Sequence, residues 1–402
     1  MGDVPQMPGV PNPFGFDMNE LMRMLQSPGP VNMEVALTTA RAMATVDLET
    51  GEPRAEPAVT PEQAQAFEDV VRAVQLVVGE TTEVASALTL RARCVDRATW
   101  AETTLSGLET VLTALARALG RSTSGPADLA SAEGVSPDAL IGMIMQQLVP
   151  LLLGGWAGSM IGLLAQTALG QFDLPLPLDG PPTLLFVARN VDDFAQSWSL
   201  PADEMRYALA LRETVHGAQR AVPWVRERIV ELACTYVSAY EVRPEAIQDQ
   251  FGDLGFDPNN PSAMESMTAL SDPDVLLGAM RSERQAPLLA DLQRFVAVLE
   301  GYTDVVVESI GDRVVTSHAR IDEALRRHRL ERGDAASFVD RLLGLELDRT
   351  HYDAGVAFCR GVVERSAGQL DQLNRLWTSA AMAPTQAELE APGLWLARID
   401  LP

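Results

Sequence analysis

Along most of the chain apolar residues recur at three- and four-residue spacing, the signature of helices that bury one face. Asn32 stands ahead of MEVALTTARAMA, where its side chain can accept a free backbone N–H of the first turn. Thr60-Pro61-Glu62-Gln63 opens a helix to about Val78, a capping residue followed by proline at the first helical position. A further periodic run covers Trp100 to Leu119, and later ones cover 203–219, 223–244, 285–310, 318–330, 334–343 and 350–376. Only Leu184-Leu185-Phe186-Val187, between Pro182 and Asn190, reads as a buried strand or extended segment. The pattern predicts a mainly α fold with little or no sheet, and no internal repeat is visible.

Residues 1–31 are rich in Pro, Gly and Met and read as a flexible arm with one short amphipathic piece, Met18 to Leu25. From 32 to 402 the chain reads as a single helical domain, with a first helical part over 32–180 and the candidate site within 181–402. Ser122 to Gly134 is a small-residue linker, and Phe256-Asp257-Pro258-Asn259-Asn260-Pro261 is a loop between helices. Residues 139–172 carry no charge, and within them 148–170 is long enough to cross a bilayer. The nearest arginines are Arg121 and Arg189 and the immediate flanks are acidic, which is not how a spanning helix is anchored. Gly154, Gly158 and Gly162, four apart, would let another helix backbone approach closely. The prediction is a buried central helix starting at Ser136-Pro137-Asp138, and no membrane association.

Charge and composition narrow the chemistry. The 31 basic residues are all arginine, against 55 acidic ones, for a formal net charge of −24. Without lysine there is no P-loop, no Schiff-base or pyridoxal chemistry and no kinase signature. A balance this negative argues against nucleic acid and against anionic membrane surfaces. Cys94, Cys234 and Cys359 are scattered, form no CxxC and read as buried thiols of a reducing compartment. No basic n-region with a compact apolar stretch marks the first residues, so the expected location is cytoplasmic. GxSxG and GxGxxG are absent.

The informative constellation is Arg212-Glu213-Thr214-Val215-His216 in the helix over 203–219. In an HExxH helix two histidines one turn apart bind one zinc, and the glutamate beside the first serves as general base for the metal-bound water. Here the second and fifth positions fit and the first is Arg212, whose guanidinium has no lone pair for a metal. Other segments share in a wider likeness: Asn12-Pro13-Phe14-Gly15-Phe16, Gly29-Pro30-Val31-Asn32, Leu169-Gly170-Gln171-Phe172-Asp173, Arg189-Asn190 and Val222-Pro223-Trp224. Leu299-Glu300-Gly301-Tyr302-Thr303-Asp304, Leu342-Leu343-Gly344, Asn374-Arg375-Leu376-Trp377 and Pro384-Thr385-Gln386-Ala387-Glu388 extend it to the C-terminal part.

On these motifs the chain resembles, over nearly its whole length, the zincin-like hydrolases often called zinc-dependent metalloproteases of high-GC bacteria. One branch of that family is associated with deazaflavin coenzyme biosynthesis. The resemblance implies a zincin-like helical domain. It also implies Glu213 as general base, His216 and Glu300 as metal ligands, and Asp304 as a group orienting His216 through its other ring nitrogen. Zinc is the implied cofactor and a peptide or small molecule the implied substrate. Arg212 lines the site in a ligand's place, free to pair with Glu213 or Glu300. Two functions stay open: a metallohydrolase with Glu213 acting on metal-bound water, and a binding or scaffolding protein that has lost the metal. The second predicts an Arg212–carboxylate ion pair; a plain alternative makes His216 a core histidine satisfied by Glu300. His318, His328 and His351 are expected on solvated faces. Asp348 and His351 repeat the acid-x-x-His spacing of di-iron bundles without companion glutamates. Trp198, Trp224, Trp377 and Trp395 are expected to be packing residues.

Overall fold

A computed structural model describes residues 29–82, 90–123, 137–177, 183–241, 280, 282–331 and 333–400. The amphipathic piece at 18–25, most of the small-residue linker and the loop at 256–261 lie outside the described residues. What is described is helical apart from two short strands, as the apolar spacing predicts.

Helix α1 (Met33–Thr45) begins as expected at Asn32, whose side chain accepts the Val35 N–H at 3.1 Å. It lies along α5 (Pro137–Ala165), the uncharged helix. The three glycines of α5 set the distance between them. A Cβ on Gly154, Gly158 or Gly162 would fall 2.3, 2.2 and 2.6 Å from the carbonyl oxygens of Asn32, Ala36 and Ala40. Only hydrogen can occupy such positions, so the two backbones are in direct contact along this stripe. Burial of α5 is one-sided, however: Leu152 is 62% exposed on the opposite face. No helix among the described residues is long and apolar enough to cross a membrane.

Helix α2 (Pro61–Thr82) leads to β1 (Arg91–Val95), which pairs in parallel with β2 (Thr183–Val187), Cys94 opposite Phe186. The second strand was legible as an apolar run. The first, Arg91-Ala92-Arg93-Cys94-Val95, was not, because its side chains alternate toward solvent and only Val95 is buried. The run read as one helix over 100–119 is two, α3 (Arg97–Gly107) and α4 (Glu109–Thr123). Asp96 caps the first by accepting the Thr99 N–H at 2.7 Å, so α3 starts before the apolar spacing becomes visible.

After β2 come α6 (Ala188–Ser197), α7 (Ala202–Ala221) and α8 (Pro223–Ser238), then α9 (Gln285–Val314), α10 (His318–Leu330), α11 (Asp334–Leu343) and α12 (Arg349–Arg365). The segment read as helix over 350–376 breaks after Arg365, where Ala367 and Gly368 take left-handed φ of 55° and 79°. It resumes in short turns at Asp371–Asn374 and Arg375–Trp377. Helices α9 and α12 cross as closely as α1 and α5. A Cβ on Gly355 would lie 2.0 Å from the Ala297 carbonyl oxygen, and one on Gly301 2.2 Å from the Gly355 carbonyl carbon. This crossing fixes α9 where residues 300–304 face α7.

Candidate functional site

From Ala208 to Arg220 every residue of α7 is buried, so this stretch of the helix has no solvent face to receive its polar side chains. Arg212, Glu213, Thr214, His216, Gln219 and Arg220 all sit in the interior. A buried charge survives only where partners compensate the lost hydration. The partners come mainly from α9.

Arg212 reaches across to α9 and spans one turn of it. Its Nη2 donates to Glu300 Oε2 at 2.5 Å and its Nη1 to Asp304 Oδ1 at 2.6 Å. The four-residue separation of the two carboxylates puts them on one face of α9, matching the two ends of a planar guanidinium. Arg329 of α10 approaches the same pair, with Nη1 at 3.3 Å from Glu300 Oε2 and 3.1 Å from Asp304 Oδ1. Two guanidinium groups thus face two carboxylates. Burial alone would lower the Arg212 pKa, but Asp304 and Glu300 outweigh it and hold the group firmly charged. For Asp304 burial acts to raise the pKa, yet Arg329 and Arg212 bring it down to about 2.

His216, one turn after Arg212, is engaged at both ring nitrogens. Arg220 Nη1 lies 2.8 Å from Nδ1, and Thr303 Oγ1 lies 3.2 Å from it. Arginine can only donate, so Nδ1 is the acceptor and the single proton of the neutral ring sits on Nε2. Nε2 faces Glu300 Oε1 at 3.6 Å. Burial, with Arg220, Arg212 and Arg329 nearby, pushes the His216 pKa well below the ordinary histidine range, so the ring stays neutral. The group at Nδ1 is therefore Arg220, where the resemblance implied Asp304. Arg220 in turn donates to Gln219 Oε1 at 2.6 Å, and its guanidinium lies 5.0 Å over the Phe172 ring.

Glu213 points the other way, into the turn after α5. Its Oε2 accepts the Phe172 N–H at 3.0 Å, and a Cβ on Gly170 would lie 2.6 Å from the Glu213 carboxyl carbon. Gly170 is thus required by close approach. The turn is pinned from several sides: Trp100 Nε1 donates to the Gly170 carbonyl at 2.9 Å, and Asn190 Nδ2 to those of Ala165 and Ala168 at 2.9 and 2.6 Å. Asp173 accepts the Leu169 and Gly170 N–H groups at 2.5 and 2.9 Å. Burial, with the nearby Asp173 charge adding to it, raises the Glu213 pKa to about 8. The backbone N–H groups of Phe172 and Gln171 and the Arg212 charge only partly offset this. At neutral pH Glu213 is protonated in the main.

Arg212, Glu213 and Glu300 line a small cavity of about 90 Å³ together with Asp173, His328, Arg329 and Tyr352. Sequence reasoning placed His328 on a solvated face. It is instead half-buried, with Nε2 3.3 Å from Asp173 Oδ1 and its ring edge-on to Phe194 at 5.4 Å. His318 was expected to be solvated too, but it is buried against Gly311, with Nδ1 2.9 Å from Asp312 Oδ1. His351 does lie near the surface, bonded to its own cap residue Asp348 at 2.8 Å. Arg220 and Arg329 were missed because arginines amid RRHRL or at a helix end read as solvated. Nothing local marks them as interior.

A zinc ion needs lone pairs from about three protein donors converging at roughly 2.0–2.2 Å. The residues present do not fit it. Glu300 and Asp304 are each bonded to Arg212 and Arg329, and the one lone pair of His216 receives Arg220. A zinc-bound histidine normally donates from its second nitrogen to a carboxylate or carbonyl. Here that nitrogen accepts, which is the opposite polarity. Among the described residues no group of three His, Cys, Asp or Glu side chains is placed to hold a metal.

Helical architecture and an acidic-basic centre on facing helices, with the spacing of a metallopeptidase motif, define a helical zincin-type protein. The family comparison agrees: the model for zincin-like metallopeptidases matches residues 31–396, and the chain belongs to that family. Among solved structures it resembles one from Chloroflexus aurantiacus, titled a "putative hydrolase with a novel fold". That likeness has a TM-score of 0.59 at 21% identity, covering 92% of this chain and 99% of the other, and shows a shared fold. No curated protein matches the chain.

Proposed function

We propose that this member of the zincin-like family acts by binding, with the hydrolytic centre of the fold converted into a buried ion-pair cluster. The observation that carries this reading is the Arg212 guanidinium bridging Glu300 and Asp304. The position that would supply a ligand supplies a fixed cation, and it occupies the carboxylates a metal would need. Arg220 closes the remaining donor, His216. Binding would occur in the cavity these residues line, with the charged groups already neutralised against one another.

One feature supports a second reading, hydrolysis. Glu213 sits on the cavity with a pKa of about 8, in the range where a carboxyl exchanges protons near neutral pH. The two readings separate on Arg212→His. Under the binding reading the natural protein takes up zinc weakly, and the histidine variant, with Glu300 and Asp304 freed of Arg212 and a second histidine beside His216, binds it at least about tenfold more tightly by calorimetry. Equal affinity in the two proteins favours the metallohydrolase.

A further inference from the structure

Asp173 holds more than the Gly170 turn. Its Oδ2 accepts the Leu169 and Gly170 N–H groups, while Oδ1 faces His328 Nε2 of α10 at 3.3 Å. A carboxylate only accepts, so Nε2 is the donor and the lone pair of the neutral ring falls on Nδ1. That nitrogen has no hydrogen-bond partner among the described residues, yet it is not sealed from solvent. Phe194 packs edge-on against the ring at 5.4 Å, and the side chain is 20% exposed. His328 is thus an imidazole base oriented by a carboxylate, an arrangement suited to accepting protons.

Its counterpart is Glu213. This side chain is anchored to the same turn through the Phe172 N–H, and it lines the inner cavity with Asp173 and His328. Buried beside Asp173, it keeps its proton at neutral pH, and a neutral carboxyl can donate to a carbonyl oxygen. A base and a proton-bearing acid on one cavity are what is needed to move a proton from the carbon beside a carbonyl. The space of about 90 Å³ is roughly three water molecules' worth, which limits the reacting group to a few non-hydrogen atoms. Asp173, Glu300, Asp340 and Glu346 outnumber Arg212 and Arg329 in its lining, so a neutral compound is favoured over a keto acid. Arg329, Leu330 and Tyr352 also line a larger cavity of about 520 Å³, which gives small solutes an entrance.

We propose that His328 and Glu213 form a metal-independent proton-transfer centre that enolises small neutral carbonyl compounds, with Asp173 positioning His328. His328 Nδ1 takes the proton from the α-carbon, the C–H electron pair becomes the C=C bond, and the carbonyl oxygen gains charge against the Glu213 O–H. Return of a proton to the same carbon gives exchange with solvent; in an α-hydroxy carbonyl compound, return to the neighbouring carbon gives the isomer. The inference rests on the inner cavity being the binding place proposed above, and it is independent of any metal there.

Proton NMR of hydroxyacetone in D2O, with the full chain and a chelator present, follows replacement of the α-protons by deuterium. The protein should exceed an equal concentration of free imidazole at least about a hundredfold. His328→Gln should lose this rate. His351→Gln should keep it, because His351 is bonded to Asp348 near the surface and does not line the cavity. Should His328→Gln melt early, the ¹⁵N shifts of the natural His328 ring still test the arrangement, since they should place its proton on Nε2. Above about pH 8 the rate should fall as Glu213, faced by Asp173 and Arg212, ionises, whereas Glu213→Gln keeps an N–H donor and should show no such fall. A rate no greater than that of free imidazole, an unchanged rate in His328→Gln, or the ring proton on Nδ1 overturns the inference. The same fall in Glu213→Gln overturns the part given to Glu213. Hydroxyacetone that shows saturation transfer from the protein without exchange leaves the binding reading standing and overturns the enolisation.

Discussion

Replacing Glu213 by glutamine should change how stability depends on pH, in a direction that follows from its surroundings. In the folded protein the carboxyl keeps its proton up to about pH 8, against an ordinary value of 4.5. Between those values the native state binds more protons than the unfolded one, so stability falls as pH rises. His216 has the opposite sign: its native pKa lies well below 6.5, so it costs stability as pH drops under that value. The two effects oppose each other between 4.5 and 6.5, and Glu213 acts alone above 6.5. One pH unit of full proton difference is worth about 1.4 kcal/mol, so the wild type should lose about 1–2 kcal/mol between pH 6.5 and 8. Glutamine cannot ionise, yet its amide oxygen can still accept the Phe172 N–H. Urea unfolding followed by tryptophan fluorescence at several pH values in this window measures the difference. Glu213→Gln should be nearly flat there and at pH 8 at least as stable as wild type. A wild type whose stability is equally flat would show that burial does not hold the proton on Glu213, and the reasoning fails.

Other substitutions probe the same interior. Arg212→Met leaves Glu300 and Asp304 with Arg329 as their remaining guanidinium, and should cost about 3–5 kcal/mol in urea unfolding, as loss of one partner from a buried cluster does. Gly355→Ala places a methyl 2.0 Å from the Ala297 carbonyl and should destabilise by at least about 1–3 kcal/mol through separation of α9 from α12. Leu152→Glu, at a residue 62% exposed on the uncharged helix, should change stability by less than about 0.5 kcal/mol. In histidine NMR titrations His216 should titrate well below the ordinary histidine range in the wild type, and its midpoint should move upward in Arg220→Met, which removes one of the charges that add to burial in holding the ring neutral.

Much of this architecture is written in local patterns. The cap at Asn32 and the apolar run of β2 report their own backbone geometry, and both were legible. The glycine stripe of α5 also meant what its spacing suggested, close backbone contact with another helix. The polar centre was legible only in part. The motif around Glu213 and His216 and the segment at Glu300 identified two helices that do meet, and the Arg212–carboxylate pair is present. The partners Arg220 and Arg329 were not legible, since a buried arginine and a solvated one have identical sequence neighbours. The Leu169–Asp173 and Arg189-Asn190 segments entered only through family likeness. In the structure they seat Glu213, through Gly170 and the Asn190 amide. Strand β1 escaped because its pairing with β2 is a contact across about ninety residues of sequence, and its own side chains mostly face solvent.

The central claim is that guanidinium groups are paired with the histidine and carboxylates a metal would require. Elemental analysis of protein purified without chelator addresses it most directly. The account predicts transition metal well below one equivalent per chain, with no change on His216→Ala. Near-stoichiometric zinc that is lost on His216→Ala would contradict it, because His216 would then have to release Arg220 and Glu300 to release Arg212.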